Sequence, residues 1–202
     1  MTLVISPLLS LIHDQIQHLS KQNIKARTLN NKVTKSETRK ILSDVRNANS
    51  TIKLLFVTPE RMCSPKFQAV LRELVAAKKL LLVAVDEAHC ISSWGTAFRP
   101  DYLKLGELRA VTGGGVPWVA LTATASSKVA QDIVESLKFQ EFKTYKLPCF
   151  RKNIFYDVKF KTNNVSISLA IFNCWVKPLM SVLSVLNYSL ATCLRESVSS
   201  SL

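Results

Sequence analysis

Short apolar segments alternate with amphipathic ones along the first 160 residues, and this alternation constrains the fold more than any other feature. Most of the apolar segments are rich in Val, Ile, Leu or Phe and end at turn or cap residues. The seven segments are TLVIS (2–6), KARTLN (25–30), IKLLFVTPE (52–60), LLLVAVD (80–86), VPWVALTAT (116–124), FKTYKL (142–147) and NIFYDVKF (153–160). Strands that alternate with helices form a parallel, doubly wound sheet. We therefore predict an α/β fold, with a parallel sheet and helices on both of its faces.

The segments between the predicted strands show helical periodicity. Apolar residues recur on one face between positions 8 and 19, and again over 65–77. Thr34 is followed three residues later by Glu37, which predicts a capped helix. Ser126 likewise predicts the start of a helix over 127–138.

The composition fits a globular chain with an anionic partner. The 202 residues are 48% hydrophobic, enough for the core of one domain, or of one domain with an appendage. Lys and Arg total 27 against 14 Asp and Glu, which gives a formal net charge of +13. Such a charge favours nucleic acid as the partner. The alternative is a basic surface that only keeps the protein soluble.

The five cysteines are odd in number and form no C-x-x-C pair. Neither a disulfide framework nor a zinc site is therefore expected. This usage fits a reducing compartment, and the N-terminus lacks the basic region and cleavage site of a signal peptide.

The acidic pair Asp86 and Glu87 ends the fourth predicted strand. Ligands of parallel α/β sheets bind at the carboxyl ends of the strands. An Asp there can hold Mg²⁺ on nucleotide phosphates through water, and a neighbouring Glu can orient and polarise the attacking water. His89 can contact another strand end and report the state of the phosphate. The alternative is a strand that ends in solvated carboxylates.

Hydroxyl and proline residues follow the neighbouring predicted strands. Thr122 and Thr124 follow the fifth strand, and we assign them, with Asp86, to nucleotide binding. Hydroxyls and helix N-termini are good ligands for phosphate. The residues that we predict to contact a nucleic-acid backbone are Ser6, Pro7, Thr58, Pro59 and Glu60. For each of these residues, an ordinary strand-to-helix cap is the alternative.

Six segments carry a family resemblance, in the order VISPLLSLIHDQ, FVTPERM, VDEAHCISSWG, FRPDY, ALTATA and CFRKNIFYDVKF. Together they resemble the RecQ family of ATP-dependent DNA helicases over residues 1–161, the later part of the first RecA-like lobe. The run from DEAHCIS into FRPDY is typical of that family rather than of helicases in general. The resemblance implies 3′-to-5′ unwinding of DNA, single-stranded and forked, driven by ATP with Mg²⁺.

The resemblance also implies residue roles. Asp86 and Glu87 would be the magnesium and water residues. An aromatic-rich loop would sense single-stranded DNA, through Trp94, Phe98, Arg99 and Tyr102. Aromatic side chains stack on bases and Arg pairs with phosphate. From the residues alone, Trp94 and Phe98 could equally belong to the core or to a lid.

The chain departs from the family pattern at the phosphate cradle. A P-loop needs G-x-x-x-x-G-K-[ST], and none of the five glycines is followed by Lys. The family places this loop, and a Gln that reads adenine, upstream of where this chain begins. In the aromatic loop, the family usually has Gln, His and Asp where this chain has Ser93, Thr96 and Ala97. Those polar groups link DNA contact to the ATP site in the family, so the replacements put that link in question. We expect a truncated form or an incomplete gene model.

The composition changes after residue 161. Residues 162–202 contain three charged residues and show no strand–helix alternation. We predict a partial helicase ATP-binding domain at 1–161, followed by an irregular or poorly ordered tail. A membrane segment within 165–194 is the alternative, although neither apolar run reaches the roughly 20 residues that span a bilayer.

Two functions remain open. The first is a RecQ-type ATP-dependent 3′–5′ DNA helicase, an ATP hydrolase of recombination and repair in the nucleus, with the cytoplasm as the alternative compartment. The second is a non-catalytic DNA-binding or regulatory product that competes with the full helicase for DNA or partners. The missing phosphate cradle favours the second for this chain's own activity.

Overall fold

The computed structural model describes residues 1–92, 100–124, 126–147 and 192–196. The strands are β1 (Thr2–Ile5), β2 (Ala26–Leu29), β3 (Leu54–Val57), β4 (Leu82–Val85), β5 (Trp118–Thr122), β6 (Phe142–Tyr145) and β7 (Thr192–Glu196). They form one sheet in the order β2-β3-β1-β4-β5-β7-β6. The first five strands are parallel, so the predicted α/β class with a parallel sheet is confirmed.

β1 lies between β3 and β4 and aligns their ends. Ile5, its last residue, pairs with Val57 of β3 and with Val85 of β4. The next residue after each strand therefore emerges at the same edge of the sheet. We call this the carboxyl edge.

Helices connect the parallel strands. They are α1 (Leu9–Lys21), α2 (Lys35–Arg46), α3 (Pro59–Cys63), α4 (Pro65–Ala76), α5 (Pro100–Leu103), α6 (Leu105–Thr112) and α7 (Ser127–Ser136), with a 3-10 helix at Ala88–Ile91. The Thr34 side chain accepts a hydrogen bond from the Glu37 amide, and the Ser126 side chain accepts one from the Val129 amide. Both predicted N-caps are thus confirmed. The 3-10 helix was not predicted, because so short a helix leaves no periodicity.

The two faces of the sheet are covered by different helices. α1 packs on one face, where Ile12 joins Val4 and Phe56 in a buried cluster. The larger core lies on the opposite face, where residues of α2, α4, α6 and α7 meet alternate strand residues such as Leu3 and Val83. This alternation follows from the two-residue period of a strand. Helices lie on both faces, as predicted.

Residues 192–196 are an exception to the predicted irregular tail. They form β7, which runs antiparallel between β5 and β6, with Leu194 beside Ala120 and Thr144. Pairing between segments so far apart in sequence leaves no local signal. The predicted strand 153–160 and the predicted boundary at residue 161 lie outside the described residues.

Two compact units divide the chain. One comprises residues 1–146 with 191–202, and the other comprises residues 147–190. Among the described residues, every helix is too short or too polar to cross a membrane.

α6 and α7 approach closely because Gly106 has no side chain. A Cβ at this position would lie 1.8 Å from the Ser136 carbonyl oxygen. Nearby, Arg109 Nη1 donates to the Leu137 carbonyl at 2.9 Å, and its guanidinium lies 5.1 Å from the centroid of the Phe139 ring. A cation at the end of a helix satisfies terminal carbonyls and complements the helix dipole.

We expect Gly106→Ala to lower the free energy of unfolding by about 2 kcal/mol or more, because the two backbones must separate to admit a methyl group. Urea denaturation followed by circular dichroism measures the change. Gly114→Ala is the control, since a Cβ there meets no described atom within 4 Å and should change stability by less than about 1 kcal/mol. Equal stability of the two variants would contradict the close contact.

Candidate active site

Polar side chains converge at the carboxyl edge of the sheet. Ser6 follows β1, Asp86 follows β4, and Thr122 ends β5. Ser6 and Thr122 are buried, whereas Asp86 is half-buried. A partly exposed carboxylate thus lies between buried hydroxyls at the edge where parallel α/β sheets bind ligands.

The amide and the carboxylate of Asp86 together make four hydrogen bonds. Its amide donates to the Ile5 carbonyl at 2.8 Å, which continues the β4–β1 ladder by one residue. Its carboxylate accepts from Ser6 Oγ at 3.2 Å, Gln15 Nε2 at 3.4 Å and the Glu87 amide at 3.0 Å. None of these three donors carries a charge. They therefore orient the carboxylate without neutralising it.

Glu87 has a left-handed backbone, with φ 49° and ψ 42°. Among the described residues, the other non-glycine positions with positive φ are Asn23, Lys78 and Lys138. Each of those three follows the end of a long helix, where the left-handed conformation is a common cap. Glu87 follows a strand instead. Such a conformation costs about 1–2 kcal/mol, and strain of this kind clusters at functional sites.

The environment of Glu87 makes its carboxyl harder to ionise than in water. Burial raises the pKa of the Glu87 carboxyl above its ordinary value, the charge of Asp86 raises the pKa further, and His89 opposes both. Glu87 Oε2 lies 3.2 Å from His89 Nδ1. A carboxylate with a raised pKa accepts a proton from water more readily than a fully solvated one.

His89 connects the ends of β4 and β5. Its Nδ1 lies 3.1 Å from Thr122 Oγ1, which in turn donates to the Thr124 carbonyl at 3.1 Å and accepts from the Thr124 amide at 3.2 Å. The Thr122 hydroxyl gives its single proton to Thr124, and an ionised Glu87 can only accept. Nδ1 therefore carries the imidazole proton that both contacts require.

The structure brings together the five residues predicted for catalysis and nucleotide binding, namely Asp86, Glu87, His89, Thr122 and Thr124. Thr124 takes part through its backbone, while its side chain is exposed. Asp86 suits Mg²⁺, because it offers oriented oxygen atoms, and this ion takes most of its ligands from water and phosphate. In the described ranges, no group of three or more His, Cys, Asp and Glu could hold a metal ion.

The residues predicted to contact a nucleic-acid backbone are mostly buried. Ser6, Pro7, Thr58 and Pro59 are buried, and Glu60 is exposed. The Ser6 hydroxyl donates to Asp86, and the Thr58 hydroxyl accepts from the Arg61 amide at the start of α3. In this structure the two hydroxyls are therefore engaged within the protein, and contact of the five residues with a nucleic-acid backbone stays a prediction. For Thr58, the structure shows the helix cap that the sequence analysis gave as the alternative.

Contact of Tyr102 with nucleic acid also stays a prediction, and its place in this structure is internal. Tyr102 is completely buried, and its hydroxyl donates to the Asp86 carbonyl. Cys63 Sγ donates to the Asp101 carbonyl at 3.4 Å, and burial raises the pKa of this thiol to about 11. These contacts attach α5 to the end of β4 and to α3. Tyr102 thus supports the carboxyl edge from inside.

Two contacts at the site were missed in the sequence. The first is the contact of Gln15 with Asp86. Gln15 lies three residues after the buried Ile12, next to the apolar face of α1, and this position could have indicated that Gln15 points towards the sheet. Ser92 donates to the Asp132 carboxylate of α7, a pairing that no local pattern indicates. Trp94, Phe98 and Arg99 lie outside the described residues.

We expect Glu87→Gln to raise the free energy of unfolding at neutral pH, because it removes a charge that folding disfavours. The pKa of Glu87 is higher in the folded chain than in the unfolded chain. The cost of its charge to stability is therefore absent at pH values below the unfolded pKa and complete at pH values above the folded pKa. The advantage of Gln should therefore vanish near pH 4, about the unfolded pKa, and be largest near pH 7.

Urea titrations at these two pH values test this expectation. Glu141→Gln at an exposed position is the control, with a change within about 0.5 kcal/mol. A Glu87→Gln protein less stable than the parent at pH 7 would show that the His89 contact outweighs burial.

Comparison with known proteins identifies similar sequences for most of the chain. Residues 1–133 match the family described as DEAD/DEAH box helicase. Over 161 residues the chain is 46% identical to ATP-dependent DNA helicase Q5 of Mus musculus, covering 79% of this chain and 16% of that protein. It is 40% identical over 158 residues to RecQ-like DNA helicase BLM of Xenopus laevis, covering 78% and 12%.

The chain thus spans only a small part of these relatives. Among solved structures, the Pyrococcus furiosus Hef helicase domain matches with a TM-score of 0.43 and 15% identity, over 68% of this chain and 27% of that one.

Proposed function

We propose that this chain, which belongs to the DEAD/DEAH box helicase family, is part of a RecQ-type 3′–5′ DNA helicase. In that enzyme it would supply the residues of the ATP site that hold Mg²⁺ and orient the attacking water. One observation carries the proposal. The Asp86 carboxylate is fixed at the end of β4 by uncharged donors, beside a Glu87 carboxyl with a raised pKa. A metal-assisted phosphoryl transfer needs this pair of groups.

The two carboxylates would divide the work. Asp86 is oriented by uncharged donors, so it can hold water molecules around a cation. Mg²⁺, when bound, would neutralise charge on the phosphates. Glu87 would orient the attacking water and accept its proton, for which a raised pKa is suited. His89, protonated at Nδ1, would transmit the position of Glu87 to Thr122 and so to the end of β5.

The partner is DNA, single-stranded and forked, and the compartment is the nucleus. The basic balance of +13 supports an anionic partner. In this proposal Trp94 and Phe98 stack on bases while Arg99 pairs with phosphate. Glu60, exposed at the carboxyl edge beside the buried Thr58 and Pro59, remains a candidate neighbour of the DNA backbone.

A second function has its own support. No G-x-x-x-x-G-K-[ST] segment occurs in the 202 residues, so this polypeptide lacks the backbone cradle and the Lys that surround nucleotide phosphates. A polypeptide with this composition can still bind DNA. It would then act as a non-catalytic regulator that competes with the complete helicase for DNA.

We expect the 202-residue chain alone to release no phosphate from ATP above background with Mg²⁺ and excess single-stranded DNA. The reason is the absent phosphate cradle. Phosphate release by the parent chain, Glu87→Gln and Glu141→Gln measures this. Turnover that is lost in Glu87→Gln and kept in Glu141→Gln would contradict the expectation.

We expect the chain to bind single-stranded DNA with about micromolar affinity and strong salt dependence, because binding releases counterions from phosphates. Trp94→Ala should weaken binding by about 1–3 kcal/mol at every salt concentration. Arg99→Ala should reduce the slope of log affinity against log salt by about 0.7. Fluorescence anisotropy with a labelled oligonucleotide measures both.

Tyr145→Ala is the control for loss of an aromatic side chain, since Tyr145 is exposed on β6. If Trp94→Ala and Tyr145→Ala bind equally well, the aromatic loop does not stack on DNA. If the parent chain does not bind DNA even at low salt, both the helicase function and the DNA-binding regulatory function are rejected for this chain.

A further inference from the structure

Lysine residues stand at the edge of the sheet opposite to the candidate active site. Lys25 directly precedes β2, Lys53 directly precedes β3, and Lys79 shortly precedes β4. We call these three residues the lysine row. The strands they precede lie within four neighbouring positions of the sheet, with β1 between β3 and β4.

Backbone hydrogen bonds fix the row. The Lys53 amide donates to the Lys25 carbonyl at 2.8 Å, and the Thr2 amide donates to the Lys53 carbonyl at 2.8 Å. The Met1 nitrogen donates to the Lys79 carbonyl at 2.6 Å. Neighbouring strands lie about 4.8 Å apart, so the row extends over roughly 15 Å.

Two of the three ammonium groups are directed by uncharged acceptors. Lys25 Nζ donates to Thr51 Oγ1 at 2.8 Å, and Lys79 Nζ donates to the Arg46 carbonyl. Lys25 and Lys53 are exposed, and Lys79 is half-buried. These contacts therefore orient Lys25 and Lys79 without neutralising their charges.

A shallow polar basin adjoins the row at the end of α2. Its volume is about 640 Å³, and it is lined by Arg39, Lys40, Ser43, Asp44, Asn47, Asn49 and Thr51. Thr51 is the acceptor of Lys25, which makes the two features continuous. Of the carboxylates nearby, Asp44 lines the basin, and Glu73 is paired with Arg46 at 2.7 Å. Cations thus predominate over the row and the basin.

We propose that the lysine row and the basin form a second contact for nucleic acid, which binds the sugar–phosphate backbone without reading its sequence. The row lies one strand length, about 13 Å, from the carboxyl edge, so it is separate from the proposed ATP site. With one phosphate per 3.4 Å of each strand, a 15 Å row faces about four nucleotides.

The chemistry of this edge favours nucleic acid over an acidic protein. Ammonium groups along a straight edge, with amide and hydroxyl side chains beside them, match repeated phosphates and sugars. Protein interfaces instead depend on clustered apolar or aromatic anchors. Among the described large apolar side chains that are exposed, Leu81 lies at this edge, and one Leu does not make such a cluster.

The test uses the complete 202-residue chain and a labelled oligothymidylate, with anisotropy measured at several salt concentrations. Lys25→Gln with Lys53→Gln should reduce the slope of log affinity against log salt by about 1.4, since each lost contact with a single strand removes about 0.7. Lys143→Gln with Lys146→Gln is the matched control, because both lysines are exposed on or after β6. This pair should leave the slope unchanged.

Three results would overturn the proposal: equal slopes for the two double variants, no binding by the parent chain at low salt, and binding of polyglutamate that needs Lys25 and Lys53 while oligothymidylate binding does not. Urea denaturation verifies that each variant is folded. The outcome is separable from the proposed function, because Trp94→Ala and Arg99→Ala test the DNA contact that the proposed function requires. If only those variants bind more weakly, the second contact fails and the helicase proposal stands.

Discussion

The hydrogen bond from the Asp86 amide to the Ile5 carbonyl is the contact on which the candidate site depends. It carries the parallel ladder one residue beyond β4, so Asp86 keeps the geometry of a strand. Its side chain therefore leaves the backbone in a direction set by the pleat, towards Ser6 and Gln15. If the ladder ended at Val85, the carboxylate would have no fixed direction and its donors would have no target.

The chain turns sharply directly after this contact. The residue after Asp86 leaves the sheet at once, and Glu87 does so in the left-handed conformation. Both this conformation and the burial of the Glu87 carboxyl oppose folding. The buried strands and helices beneath, with Tyr102 bonded to the Asp86 carbonyl, stabilise the arrangement. A site that opposes folding locally is common where chemistry requires a strained or desolvated group.

Much of this arrangement could be predicted from the sequence. Apolar runs between amphipathic segments gave the five parallel strands, and the rule that ligands bind at strand ends gave Asp86, Glu87 and Thr122 as neighbours. The RecQ resemblance is confirmed by the relatives. These successes share a cause, because each rests on patterns within single segments and on the order of those segments along the chain.

The contacts that the sequence did not predict depend on tertiary packing. Tyr102 looked like part of a DNA-contacting loop, but α5 packs inward and buries its ring. Ser6 and Thr58 looked like phosphate ligands, yet their hydroxyls are used by Asp86 and by α3. β7 joins the sheet through antiparallel pairing with distant segments. No single segment contains the information that decides these outcomes.

A parallel sheet has two unlike edges, and here they differ in the sign of their charge. Carboxylates lie at the end of β4 and lysines precede β2, β3 and β4, so the strand axis is also an axis of electrical polarity. The electric field of a polyanion would therefore rotate the protein so that the lysine edge faces the polyanion. The first encounter would then keep Asp86 and Glu87 about a strand length from the phosphates, and the carboxylates would not repel the approaching polymer.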